Sequence, residues 1–390
     1  MGQENHSVLL EDNRFKSIKR LKKKDLPHQL YWYLKQDYFS EELLGLYREE
    51  VDTFSKTATV AFELFQSATQ KVINDQKLSD FGIPKFFWDC IQYTWEHRKK
   101  HPFLYGRFDV NGGFGNTPAK VIEFNADTCS TLPETILWQK AQLNLLTGAS
   151  QFNTLAEDIG HTLAHLKTKI PHDQPFILGS SFGYEEDVLN VNAILDIGYK
   201  QGYKVFYTHL EDVIFSHENG ILYEINGEYQ IADIWFKMIP WDWMFTDEPE
   251  LAKDLATIIQ KDLCTVLNPP ITALWQNKKF LAYLTENYPN VCIANTYLTP
   301  ASLRNYVAKP IFGRLGENIE IHTSKKTTSK GDYAHQQKIH QEYIPLAEDS
   351  EKYAYQTGVF YTHKASAINL RTEDNPIITD DCEFMTHYII

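Results

Sequence analysis

Apolar side chains recur along this chain with two different periods, and each change of period marks a new segment. From about residue 40 to 100 the spacing is helical. Ser40 followed by Glu41 and Glu42 reads as a helix start, and Val60, Phe62, Leu64 and Phe65 supply apolar faces that continue to Val72 and Ile73. From about 103 the period shortens to two in FLYGRFDV and KVIEFNAD, with Gly and Asn clustered in NGGFGNTPA between them, which predicts a hairpin with a long loop. Residues 133–168 return to the helical period. The stretch 174–240 reads strand, helix, strand, further short strands and strand, with Val188, Val191, Ile194 and Leu195 on one side of its helix: a βαβ-type unit with parallel pairing. Helices continue to about 286 and the remainder is largely β. The polar segment 324–337 reads as a mobile loop, and the basic stretch Arg14, Lys16, Lys19, Arg20, Lys22, Lys23, Lys24 as a solvated face or loose arm.

Alternation in the hairpin concentrates polar groups on one side. Arg107 and Asp109 share a strand face opposite Phe108 and Val110, and Glu123 and Asn125 share one opposite Ile122 and Phe124. If both apolar sides meet the same core, the four polar residues converge. Two carboxylates and an amide oxygen are hard ligands suited to Mg²⁺, and an arginine beside them can hold a phosphate or a developing anion. The same pattern also fits a solvent-facing sheet with ordinary charges, and spacing alone does not choose. In YVAKPIFGRLGENIEI, residues 306–321, Lys309 ends an apolar strand before a loop carrying Gly313, Arg314 and Gly316, which can bring a cation and backbone N–H groups onto phosphate. A plain β-turn with an exposed lysine is the alternative, and Lys278 with Lys279 reads by default as solvated. Glu185, Glu186 and Asp187 stand where a strand gives way to a helix; helix capping accounts for at least one, and an amine pocket with Asp242, between Trp241 and Trp243, is the functional alternative.

Charge narrows the partners. Among 390 residues, 38 Lys+Arg face 51 Asp+Glu, a net charge of −13 that argues against nucleic acid, whose phosphates require a basic surface. No apolar run approaches the roughly 20 residues a bilayer requires, and the start lacks the apolar core of a secretory signal, so a soluble, cytoplasmic protein with no membrane partner is expected. The opening MGQENHS resembles a myristoylation signal but has His6 where Ser or Thr is wanted. Cys90, Cys129, Cys264, Cys292 and Cys382 are widely spread with no C-x-x-C pair, against both a disulfide framework and structural zinc.

Taken in order, RFD at 107–109, EFNADTCSTLPE at 123–134, the acidic triplet, FKMIPWDW at 236–243, QNK at 276–278, AKPIFGRLGENI at 308–319 and QEYIPL at 341–346 resemble the glutathionylspermidine synthetase family, nearest its stand-alone synthetase-like members. The resemblance covers about 100 to the C-terminus. It implies an α/β (α+β) fold of the permuted ATP-grasp type, with a Rossmann-like (preATP-grasp) substrate subdomain and a β-rich lid. One synthetase unit would comprise 1–165, a helical region plus the Mg-binding hairpin; 170–245, the substrate subdomain; and 260–390, the ATP-binding and lid part. By the same resemblance Asp109, Glu123 and Asn125 hold Mg²⁺, Arg107 and Arg371 contact the reacting phosphoryl group, and Lys278 and Lys309 bind ATP phosphates under the loop of Gly313 and Gly316. Gln341, Glu342, Tyr343 and Ile344 flank adenine, Thr128 and Ser130 meet the acid, and Glu185, Glu186 and Asp242 the amine. Thr131 replaces a cysteine of the bifunctional synthetases. The implied activity is ATP- and Mg-dependent joining of a small acid, such as a peptide or glutathione-like thiol, to an amine, such as a polyamine, through an acyl phosphate; related synthetases often form homodimers, and the sequence itself does not fix the oligomeric state. The alternative is a non-catalytic ATP-binding or polyamine-binding protein that kept the fold.

Overall fold

The two hairpin strands lie where alternation puts them. In the computed structural model, which describes residues 7–300 and 303–390, Gly106–Asn111 pairs antiparallel with Lys120–Asn125, with Arg107 opposite Asn125, Phe108 opposite Phe124 and Asp109 opposite Glu123. Phe108 and Phe124 stack at 3.9 Å between centroids and meet Phe65 of the helix Arg48–Asn74. That helix presents Phe54, Ala58, Ala61, Phe65, Ala68 and Val72, a stripe at alternating spacings of three and four in which every member is fully buried. The polar residues of both strands are therefore turned to the opposite side. The lipidation-like start, residues 1–6, lies outside the described residues.

The hairpin is the edge of an eight-stranded sheet that continues through Ala354–Tyr361, Ala365–Glu373, Glu383–Ile389, Phe39–Leu46 and Phe15–Ser17, with the short strand Ala347–Glu348 also pairing with Ala354–Tyr361. Phe39–Leu46 corrects the expected helix start at Ser40. It runs parallel to Glu383–Ile389, and the helix begins at Arg48, where the Glu50 carboxylate accepts a hydrogen bond from the Tyr47 N–H. Pairing with a strand from the far end of the chain overrides the local acidic signal, because it buries Leu43, Leu44 and Leu46 completely. Arg14 is likewise no solvated charge. It is buried against Glu50 and donates to the Gly45 carbonyl at 2.9 Å.

The βαβ unit is as expected: Thr265–Leu267, Ile234–Lys237, Phe176–Ser181 and Lys204–His209 form a four-stranded, all-parallel sheet, with the helix Glu185–Lys200 burying Val191, Ile194 and Leu195. The helix expected over 133–168 is broken between 143 and 155, where the chain bonds to the strand Ala365–Glu373 of the large sheet through Phe152 and Thr154. A five-stranded antiparallel sheet, Thr296–Tyr297, Lys338–Glu342, Tyr306–Pro310, Glu320–His322 and Lys326–Thr328, forms the β-rich part. The segment 324–337 is not a loose loop. It supplies the edge strand Lys326–Thr328, and Gln336 accepts from the Phe312 N–H at 3.0 Å. All five cysteines are free and buried, and no helix among the described residues is long and apolar enough to cross a membrane.

A fully buried ion pair ties the hairpin to the parallel sheet. Lys237 Nζ donates to Asp127 Oδ1 at 2.9 Å and to the Ile239 carbonyl at 2.8 Å, while the other Asp127 oxygen accepts from the Trp241 N–H at 2.7 Å. Beside it, buried Asn268 accepts from the Leu104 N–H and donates to the carbonyls of Tyr105, Ala126 and Asp127. These groups fix the loop that follows the hairpin. Breaking one side of a buried pair strands the other charge, so Asp127→Asn is expected to cost about 3–5 kcal/mol of unfolding free energy in a urea titration. Replacing both members by apolar residues, Asp127→Leu with Lys237→Met, should cost clearly less.

Candidate active site

The polar face of the hairpin forms the floor of a cavity of about 810 Å³. Asp109 is its centre. Arg107 Nε donates to Asp109 Oδ1 at 2.6 Å, and Oδ2 accepts from Arg371 Nη2 at 2.8 Å and Asn125 Nδ2 at 3.2 Å. Burial alone would push this carboxyl up, but the two arginines outweigh it and hold it below the usual carboxylate range. The same pairing keeps buried Arg107 firmly charged. Arg107 also donates to Thr131 Oγ1 at 3.0 Å, and Asn369 Nδ2 donates to that same oxygen at 3.0 Å. Thr131, at φ 68°, thus helps to orient this guanidinium.

A second pair of cations comes from other elements: Lys278 stands just before the helix Lys279–Asn287, and Lys309 on the strand Tyr306–Pro310 of the five-stranded sheet. Lys278 Nζ is 2.8 Å from Glu123 Oε1 and donates at 2.7 Å to the Gly313 carbonyl, tethering the glycine loop to the floor. Lys309 is 4% exposed, and its recorded hydrogen bond is to the Ile122 carbonyl at 3.1 Å. Burial, with repulsion from Lys278 and against the attraction of Glu123, brings Lys309 down to about 8. An anion at this spot would relieve that strain on its charge.

Of the residues singled out in the sequence, Arg107, Asp109, Glu123, Asn125, Thr128, Ser130, Glu186, Lys278, Lys309, Gly313, Gly316, Gln341, Glu342, Tyr343, Ile344 and Arg371 all line this cavity. Two do not. Glu185 is exposed and outside the lining, and Asp242, also outside it, is held by Arg314 at 2.7 Å. Asp242 is thus engaged by Arg314, while Glu186 and Asp187 line the cavity. Gln341 is also partly committed, donating to Thr296 Oγ1 at 2.9 Å, and Glu342 accepts from Lys120 at 3.0 Å. Several lining residues carried no signal in advance: Trp32, Tyr33 and Tyr38 from the N-terminal arm, Glu134, and Asp380 with Asp381. The run of aromatics at 31–33 was a weak sign of an ordered arm, and Glu134 belonged to a quoted motif without a role.

The donor set can be tested for a metal. Among the described residues no group of three or more His, Cys, Asp or Glu side chains gathers to hold one. Asp109 and Glu123, however, sit at directly paired register positions, and with the Asn125 amide oxygen they make a hard-oxygen set of the kind that shares Mg²⁺ with phosphates. The residues fit.

Residues 15–390 match the family model described as glutathionylspermidine synthase preATP-grasp. The chain is similar to a Haemophilus influenzae protein named for a proposed acid–amine ligase activity, 26% identical over 87% of this chain and 88% of that protein. It is also 23% identical, over 74% of its own length, to the bifunctional glutathionylspermidine synthetase/amidase of Escherichia coli, and the match spans about half (50%) of that longer protein. A glutathione synthetase-like effector of Globodera pallida in its apo form shares the fold, with a TM-score of 0.59 over 90% of both chains at 10% identity.

Gly358 faces Asp109 across the neighbouring strand pair, and Arg107 lies over it. A Cβ there would stand 2.6 Å from Arg107 Cδ and 2.1 Å from Asn369 Oδ1. Gly358→Ala is therefore expected to push Arg107 off Asp109, lowering stability by about 1–3 kcal/mol in thermal or urea melts and abolishing turnover. A variant with wild-type stability and activity contradicts this packing.

Proposed function

This chain belongs to the glutathionylspermidine synthase family, and we propose that within it the protein is an ATP- and Mg-dependent ligase that joins a carboxylic acid to an amine. The observation that carries the reading is the quartet Arg107, Arg371, Lys278 and Lys309, three of them buried, around the Asp109 and Glu123 carboxylates in one cavity. A carboxylate does not condense with an amine in neutral water, so its oxygen must first be made a leaving group. ATP phosphorylates the acid, and the amine displaces phosphate. Asp109, Glu123 and Asn125 would hold Mg²⁺, which when bound neutralises charge on the phosphoryl oxygens.

The chain's own residues do the rest. Arg107 and Arg371 converge on the place where phosphoryl charge develops, and their existing bonds to Asp109 mean that little reorganisation is needed as it does. Lys278 and Lys309 take the nucleotide phosphates, with Lys278 fixing the glycine loop above them. That loop and the ordered segment 324–337 exclude water, which would otherwise hydrolyse the activated acid. Gln341 to Ile344 border the nucleotide base, and Thr128 with Ser130 meet the acid. The relative from Escherichia coli is named for glutathionylspermidine, and a peptide acid with a polyamine is the substrate class carried over to this chain. Acidic lining from Glu186, Asp187, Asp380 and Asp381 supports a cationic amine. A binding protein without catalysis has no use for Arg107 and Arg371 poised beside the lysines.

Mg·ATP is expected to raise the melting temperature of the wild-type chain, by an amount corresponding to about 2.7 kcal/mol at a hundred times Kd. EDTA should remove most of the rise, and Lys309→Ala or Glu123→Ala should abolish it. A wild-type chain that shows no rise overturns the ligase reading.

A further inference from the structure

The cavity has an end that phosphoryl chemistry does not use. Glu134, at the start of the short helical segment Glu134–Trp138, lines it while only 1% exposed, and neither carboxyl oxygen has a hydrogen-bond partner. Tyr33 of the N-terminal arm, also 1% exposed, brings in a hydroxyl that is equally unpartnered. The two groups lie within hydrogen-bonding reach and shift each other's proton affinity, yet no aligned hydrogen bond forms between them. Buried polar atoms are nearly always paired, so three orphaned oxygens bordering one space are an observation that requires a cause.

The surroundings say what would satisfy them. Tyr33 and Tyr38 face Glu134 from the arm, Glu186 from the helix Glu185–Lys200, Cys129 from the loop after the hairpin, and Arg107 from the floor. Burial first, then the charge of Glu186, pushes Glu134 up to about 8, and Arg107 opposes this only in part because it is already committed to Asp109 and Thr131. Neighbouring protein atoms and Asp380 raise Glu186 in turn, although its side chain reaches solvent, and partial burial and Glu186 bring Asp187 to about 6. Among the described residues this end therefore gathers carboxyl groups, and the cation that faces Glu134, Arg107, is already engaged by Asp109 and Thr131. An anionic ligand would be repelled by Glu186, Asp187 and Asp380. An ammonium group offers three N–H donors and the missing positive charge, and so matches both the orphaned oxygens and the field.

Resting on the ligase reading above, we infer that Glu134, with the Tyr33 hydroxyl, seats the nitrogen of the amine substrate, and that Glu134 gives up its proton to solvent as the ammonium group arrives. The N-terminal arm thereby becomes part of the substrate site, and amine binding acquires a pH signature. The free carboxyl is largely protonated below about 8, so binding there must release its proton, and affinity should fall with falling pH below that value and level off above it.

The test is calorimetry of spermidine, used as the amine probe, with the full chain at pH 7.5 in HEPES and in Tris, whose ionisation enthalpies differ. Wild type should show a buffer-dependent enthalpy reporting release of a sizeable fraction of a proton. Glu134→Gln should bind at least tenfold more weakly with the buffer dependence gone, and Tyr33→Phe severalfold more weakly with it kept. The rise in melting temperature with Mg·ATP serves as the independent check: if wild type lacks it, the ligase reading fails. If that rise is present and spermidine does not bind, or binds both variants with wild-type affinity and proton release, this seat for the amine is wrong. Should Glu134→Gln fail to fold, wild-type proton release and Tyr33→Phe decide.

Discussion

One buried carboxylate organises this site. Asp109 accepts from Arg107 on its own strand, from Asn125 across the hairpin and from Arg371 two strands away, so strands remote in sequence are held at a fixed spacing by charge as well as by backbone pairing. The arrangement is expensive to assemble, because all the groups leave water, and it is stable only when every partner is present. Several local features answer to it. Gly358 lacks a side chain where Arg107 must lie flat, and Thr131 and Asn369 form a hydroxyl–amide brace beneath the guanidinium.

The cavity separates charge along its length. Arg107, Arg371, Lys278 and Lys309 stand with Asp109 and Glu123 on the floor, where each carboxylate is matched by cations. Glu134, Glu186, Asp187 and Asp380 stand beyond, where none is. A ligase that first activates an acid and then admits an amine needs both environments adjacent. The first stabilises phosphoryl charge, and the second draws in a cation while discouraging a second anion. Part of the net charge of −13 thus has a location and a task.

Much of the floor was legible in the sequence because strand alternation is a local rule. Phe108 and Phe124 had to face a core, so Arg107, Asp109, Glu123 and Asn125 had to face together. Lys278 was not distinguishable from a solvated lysine by pattern, since its burial depends on Glu123 and on a loop carbonyl more than thirty positions away. Phe39–Leu46 was misread as a helix start because its acidic opening is a local signal, whereas its parallel partner comes from the C-terminal strand. Asp242 was placed with the amine on the strength of its aromatic neighbours, and only the fold brings Arg314 to it. The arm carrying Tyr33 gave only the weak sign of its aromatic run, because its role arises from what it covers.

The central claim, that the cavity activates an acid by phosphorylation, is tested most directly by isotope transfer. An acid found to turn over with spermidine is labelled with ¹⁸O in its carboxylate, and the phosphorus products are examined by mass spectrometry. The account predicts ADP and inorganic phosphate carrying one ¹⁸O per amide bond formed. Label found in AMP, or turnover with no label in phosphate, would contradict it.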